Sequence, residues 1–264
     1  MELANLSIEI LIFLFLIAVT AGLLDTLAGG GGLLTTPALI VSGIPPLTAL
    51  GTNKLQGSMG TATAAYMMIK NKKVRWNDVR YLMLYAFIGS IFGTISIQYV
   101  NTDILSFVIP LVLIFIATYF LISPKPKKDK KITKSSVNNY KNIIIPTIGF
   151  YDGMFGPGTG SFFALSTVSF KGHDIIKSTA IAKPLNFSTN IASLFIFLAA
   201  GKIVWVSGIT MIFGQVIGAW IGSLCLFKIN TAYLRVIIVL MSTAMLIKYA
   251  DSMGWFIELS EMLK

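Results

Sequence analysis

Two lysines, two aspartates and two glycine-rich breaks are the residues of this 264-residue chain whose types and spacing could do chemistry. Lys54 sits in Gly51-Thr52-Asn53-Lys54-Leu55-Gln56 and Lys183 in Ala182-Lys183-Pro184-Leu185-Asn186, each inside a long apolar stretch. A lysine at membrane depth costs roughly 2.5–3.5 kcal/mol on insertion scales and usually faces a cavity or a partner. Snorkelling back to the interface is the bland alternative. The matched positions, flanked by Asn53, Asn186 and Asn190, favour a polar cavity. Asp25 and Asp152 are the carboxylates well inside the first segment of each half. Three roles stay open for them: carrying protons, pairing with the lysines, or capping helices at the breaks.

The first break reads Ala28-Gly29-Gly30-Gly31-Gly32-Leu33-Leu34-Thr35-Thr36-Pro37, and the second Phe155-Gly156-Pro157-Gly158-Thr159-Gly160-Ser161. Irregular backbone at membrane depth survives only where protein or a water-filled cavity surrounds it. A short helix starting after each break would aim free N–H groups and a positive dipole end at it, which suits an anion. The dipole contributes roughly 0.3–1 kcal/mol, rising to about 2 when partly buried, so other groups must help. Tight hairpin packing is the competing explanation of the glycines. The candidate substrate-binding residues are therefore Gly30, Gly31, Gly32, Thr35, Thr52, Asn53 and Lys54 in the first half. In the second they are Gly158, Thr159, Gly160, Lys183 and Asn186.

What positions these groups is a chain dissolved in lipid. Hydrophobic residues make up 55% and charged ones 12%, too little polar surface to cover a soluble domain. A span needs about 20 apolar residues, so the length holds some eight to ten membrane segments and no soluble catalytic domain. The net charge of +10 does not point to nucleic acid, because the basic residues stand in short blocks between apolar runs. One cysteine, Cys225, excludes an intrachain disulfide, and one histidine, His173, in a basic loop, gives no basis for a zinc or histidine-based catalytic site. Neither a metal nor another cofactor is implied. The N-terminus lacks the basic start of a signal peptide, so the first apolar run is expected to be retained.

Five segments are predicted in each half, near 8–28, 31–43, 49–69, 81–100 and 104–122, then 143–156, 159–171, 178–200, 205–227 and 231–249. In each half the second is too short to span comfortably, so the broken pair is either two thin spans or a re-entrant hairpin. The expected organisation is a first repeat over 1–124, a basic linker over 125–141, a second repeat over 142–250 and an interfacial tail over 251–264 around Trp255. The loop with Lys70, Lys72, Lys73, Arg75 and Arg80 and the lysine-rich linker belong in the cytoplasm, and the loops near Pro45–Pro46 and Asn101–Asp103 outside. In the second half the bias reverses: basic residues stand at Lys171, Lys177 and Lys228, and the loop matching the most basic one keeps Lys202. The two halves are thus predicted to lie in opposite orientations, with both termini outside.

The halves are also similar in sequence. At an offset of 127, Gly22, Asp25, Gly29 and Gly31 fall on Gly149, Asp152, Gly156 and Gly158. At 129, Gly43, Lys54, Lys73, Trp76, Gly89, Gly93 and Asn101 fall on Gly172, Lys183, Lys202, Trp205, Gly218, Gly222 and Asn230. The expected fold is an all-α polytopic membrane protein of two inverted repeats, each opening with a glycine-broken helical hairpin. Secondary transporters use that architecture, with substrate bound near the midplane where broken helices meet. The glycine pairs Gly89/Gly93 and Gly214/Gly218/Gly222 suit close helix packing in lipid.

At these motifs the chain resembles the sulfite exporter TauE/SafE family of membrane permeases. The matches are Ala21-Gly22-Leu23-Leu24-Asp25, the Gly29–Gly32 run with Pro37-Ala38-Leu39, Gly43-Ile44-Pro45-Pro46, and Leu50-Gly51-Thr52-Asn53-Lys54-Leu55-Gln56. In the second half they are Gly149-Phe150-Tyr151-Asp152-Gly153 and Gly156-Pro157-Gly158-Thr159-Gly160. The resemblance implies transport of sulfur-containing anions such as sulfite or organosulfonates, often outward, along a path formed by the glycine-rich segments. The expectation is a secondary transporter of a small anion in the cytoplasmic membrane, with the lipid bilayer as its other partner. Self-association into a homo-oligomer is compatible with the sequence. The alternative is a channel or permease for a neutral or zwitterionic solute. An enzyme is the weakest reading, since no cluster of histidine, cysteine or carboxylates offers a nucleophile–base pair.

Overall fold

The computed structural model describes residues 6–122 and 134–228, together with Thr243 and Ile247. The fifth segment of the second half (231–249, apart from those two residues), the tail over 251–264 and linker residues 125–133 lie outside the described residues. The chain is all-helical over the rest. In order the elements are α1 (Ile8–Ala28), α2 (Gly32–Val41), α3 (Pro46–Lys70), α4 (Trp76–Gln98) and α5 (Thr102–Ile122). The second half adds α6 (Lys134–Asn139), a π-turn over Tyr140–Ile144, α7 (Ile145–Met154), α8 (Thr159–Lys171), α9 (Ile175–Ala199) and α10 (Trp205–Cys225). Among the described residues α1, α4, α9 and α10 are long and apolar enough to cross a membrane.

Breaks and caps follow local chemistry. Ser7 accepts from the Ile10 amide to start α1, and Asp174 accepts from the Lys177 amide at 2.9 Å to start α9. Gly29 ends α1 at φ 80°, and Gly158 precedes α8 at φ 79°, a left-handed conformation that glycine adopts without strain. At about 1.5 Å per residue, the 10-residue α2 and 13-residue α8 span well under the roughly 30 Å of a hydrocarbon core. One element begins earlier than its apolarity suggests. The helix opening the second half starts at Lys134, ahead of the apolar run at 143, so α6, the π-turn and α7 together match the length of α1. The polar residues of that first part hid it.

Contacts exchange pairwise between the halves. A Cβ on Gly218 of α10 would overlap the Val19 carbonyl of α1, and one on Gly89 of α4 would overlap the Pro146 carbonyl of α7. These are the same contact at the offsets found in the sequence. Gly222 against Leu23 and Gly93 against Phe150 repeat it one turn on. The small-residue seams therefore hold α1 to α10 and α7 to α4, in parallel. At the centre α3 and α9 run antiparallel, with Gly51 against Phe197 and Gly57 against Asn190.

The bundle has two chemically distinct ends. At one, Lys73 lies 4.4 Å over the Phe227 ring, and Lys141 lies 5.3 and 4.9 Å over Tyr81 and Tyr85. His173 shares that end: partial burial, Lys177 and Lys171 hold its imidazole below the usual histidine range, with Asp174 and then Asp78 of α4 opposing. At the other end the Val204 amide donates to Thr52 at 3.0 Å, and Gly51 meets the Lys202 carbonyl. The pairing of Phe15 and Val19 of α1 with Gly214 and Gly218 of α10 puts the start of α1 at this second end too, so α1 and α3 begin at the same end of the bundle. Trp76 and Trp205, both more than half exposed, begin α4 and α10 at opposite ends, as interfacial aromatics do.

Candidate functional site

The two breaks touch. A Cβ on Gly32 would lie 3.1 Å from Pro157 Cα, and one on Gly160 2.7 Å from Gly29 Cα. Ser161 donates its hydroxyl to the Ala28 carbonyl, tying the start of α8 to the end of α1. Close backbone approach is why glycine recurs here.

Beside this crossing lies a cavity of about 30 Å³. Since roughly 10–15 Å³ admits one water, it has room for about two or three waters. Its wall includes Gly31, Gly32, Thr35, Asn53 and Asn186 of the sequence-derived set, with both Asp25 and Asp152. Gly30, Thr52, Lys54, Gly158, Thr159, Gly160 and Lys183 are not on it. Thr52 satisfies the Val204 amide instead, and Thr159 donates to the Gly156 carbonyl at 2.7 Å.

The lysines sit behind the wall. Lys54 Nζ lies 3.0 Å from Asp152 Oδ2 and donates to the Asp152 carbonyl. Lys183 Nζ lies 3.6 Å from Asp25 Oδ2 and donates to the Asp25 carbonyl. Each half thus supplies the lysine for the other half's aspartate. Of the three roles open to the aspartates, pairing is realised in both. Asp25 also caps, since the Gly31 amide donates to its Oδ1 at 3.2 Å. An ion pair buried this deeply offsets its desolvation only when further hydrogen bonds support it, and the two carbonyls at the ends of α1 and α7 do so.

Carboxamides dominate the rest of the wall: Asn53, Gln56, Asn186, Asn190 and Gln215. Asn53 Oδ1 accepts from Thr35 and from Gln56 Nε2, both at 2.6 Å. That orients Gln56, whose Oε1 is buried and has no hydrogen-bond partner among the described residues. A buried acceptor left open on a cavity wall suits a site completed by water or ligand. Asn190 donates to Asn186 Oδ1 at 3.4 Å. Gln56 and Gln215 were missed as site residues in the sequence. The available signal for Gln215 was a lone amide among the glycines of an apolar helix, where polar residues face the interior.

Long apolar helices, interrupted hairpins that meet at a polar cavity and charged residues buried in pairs define a multi-pass integral membrane protein built around an internal site. A family model, sulfite exporter TauE/SafE, matches residues 14–249. The chain belongs to that family. It is 36% identical over 252 residues to a probable membrane transporter protein of Haemophilus influenzae, covering 96% of this chain and 99% of that one. To the probable membrane transporter protein YfcA of Escherichia coli it is 40% identical over 242 residues, 91% and 90% of the two chains. A probable membrane transporter protein ORF9 of Sinorhizobium is 37% identical over 244 residues, 92% and 94% of the two. No solved structure matches the chain. The protein is a membrane transporter.

Proposed function

We propose that this protein is a secondary transporter that moves a small anion, sulfite or an organosulfonate, outward across the cytoplasmic membrane. The observation that carries this reading is the amide-lined cavity where the two broken helices meet, backed by exchanged lysine–aspartate pairs. Carboxamide N–H groups and the nearby N-terminal ends of α2 and α8 are donors suited to sulfur oxyanions. The family's descriptive name supports the substrate class. The two halves sit in opposite orientations. A two-fold exchange that carries α3 onto the antiparallel α9 must lie across both helices, hence in the membrane plane if they span it. The end rich in lysine and arginine faces the cytoplasm. Alternating access follows when the two halves rock about the cavity.

A second reading rests on one specific observation. Asp25 and Asp152 are among the residues that line the cavity, while Lys54 and Lys183 are not. A bare carboxylate roughly 4 Å from an anion would repel it by about 4 kcal/mol at an effective dielectric constant near 20, a cost that the lysine paired with each aspartate lowers. A neutral or zwitterionic solute would avoid that cost. Thermal-shift titration with sulfite, sulfate, thiosulfate, sulfonates and neutral analogues of the sulfonates separates the two. Stabilisation by anions alone supports anion transport; stabilisation by the neutral compounds alone supports the second reading.

A further inference from the structure

We propose that Asp25 couples anion movement to protons: once protonated, it yields its place as counter-ion of Lys183 to the transported anion. This rests on the cavity being the anion site.

The two ion pairs are equivalent by sequence but not by environment. Asp152 is 1% exposed and 3.0 Å from Lys54, and the Asp25 side chain is 16% exposed and 3.6 Å from Lys183. Asp25 is therefore the pair member that water in the cavity reaches, with its lysine wholly buried behind it. Among the described residues the charged groups around it are few. Lys183 of α9 faces it directly, and Asp152 of α7 with its partner Lys54 of α3 stands across the same cavity. From α10 comes the uncharged Gln215, from the start of α2 the Gly31 amide, and α8 brings no charge to the cavity wall. Lys183 is held independently of the carboxylate, because it also donates to the Asp25 carbonyl. Protonating Asp25 thus frees one cation without releasing its anchor.

The charges balance. A proton from water adds to an Asp25 carboxylate oxygen, and the anion then supplies the negative charge facing Lys183. On the far side the anion leaves, the O–H bond breaks and the proton follows into water. One proton and one anion move in the same direction per cycle. Outward flux then requires an anion gradient steeper than the opposing proton gradient.

The test uses ethanesulfonate, which stays ionised, so any proton taken up belongs to the protein. Binding to the purified wild type is followed by thermal shift across a pH series. The expected result is an apparent affinity that falls about tenfold per pH unit on the alkaline side, as one linked proton requires. In Asp25→Asn the affinity no longer follows pH, and in proteoliposomes holding a pH dye an ethanesulfonate gradient no longer drives proton entry. If that variant does not fold, Asp25→Glu moves the midpoint upward, in the direction of the higher glutamate reference value. Wild-type affinity independent of pH, or proton entry retained in Asp25→Asn, overturns the proposal. Failure to bind ethanesulfonate or sulfite at any pH instead overturns the anion-site reading beneath it.

Discussion

The ammonium of Lys54, on the third helix of one half, lies 3.0 Å from the carboxylate of Asp152 in the other half, both fully buried. The relationship is duplicated by Lys183 and Asp25, so the two halves are bolted together by charges at the site itself. Any motion that opens the cavity has to carry these pairs along or separate them.

Breaking one bolt should unfold more than it disables. Lys54→Met leaves Asp152 buried without its cation, a loss of about 3–5 kcal/mol for a buried pair. Lys54→Met combined with Asp152→Leu removes both charges and should recover most of that. Thermal melting in detergent, read by fluorescence, gives both values. Equal melting temperatures for the single variant and the wild type would show that the pair contributes nothing to docking the halves.

Gln215 reaches the cavity through a slot between two glycines. A Cβ on Gly60 would lie 2.5 Å from Gln215 Oε1, and one on Gly22 2.9 Å. Gly60→Ala therefore pushes the amide into the cavity. Anion affinity should drop by about tenfold, the effect of losing one net hydrogen bond, while expression and melting change little. Unaltered affinity in Gly60→Ala places the ligand away from Gln215.

The seam between α1 and α10 leaves no room for side chains. In Gly218→Val the new atoms would occupy the position of the Val19 carbonyl, and the helices must separate. Loss of several kcal/mol, seen as aggregation on size exclusion, is expected. Gly43→Ala has open space around it but a φ of 87°, so its cost is backbone strain alone, about 1–2 kcal/mol. A Gly218→Val protein as stable as Gly43→Ala would argue against the seam.

Orientation is open to labelling. With Cys225 replaced by serine, single cysteines at Pro46 and His173 should react with an impermeant maleimide from opposite faces of intact cells. Pro46 opens α3 at the end shared with Lys202, and His173 lies at the basic end. Reaction of both from outside would remove the opposed orientation of the halves.

Much of this was legible in the residues. The described helices fall close to the apolar runs, the breaks at Gly29–Gly32 and Gly156–Gly160 are where the glycines are, and the repeat offsets reappear as duplicated contacts. Partner choice was not legible. Nothing in the chain says that Lys54 takes Asp152 rather than Asp25, because that depends on how the halves dock. The cavity wall was half legible for a related reason. Asn53 and Asn186 stand beside conspicuous lysines, but Gln56 and Gln215 have Leu185 and Ala86 at the matching positions of the repeat, so self-similarity could not flag them. The polar start of α6 escaped because apolarity, not helicity, marks segments in the sequence.

Counterflow bears most directly on the claim that the meeting point of the broken helices holds an anion. Proteoliposomes loaded with unlabelled sulfite are diluted into labelled sulfite, with the wild type and with Asn186→Leu, which replaces a wall amide by a side chain that cannot donate. Transient accumulation of label with the wild type, competed by sulfonates and lost in Asn186→Leu, is the predicted result. Accumulation unchanged by Asn186→Leu, or none with any sulfur oxyanion, would contradict the account.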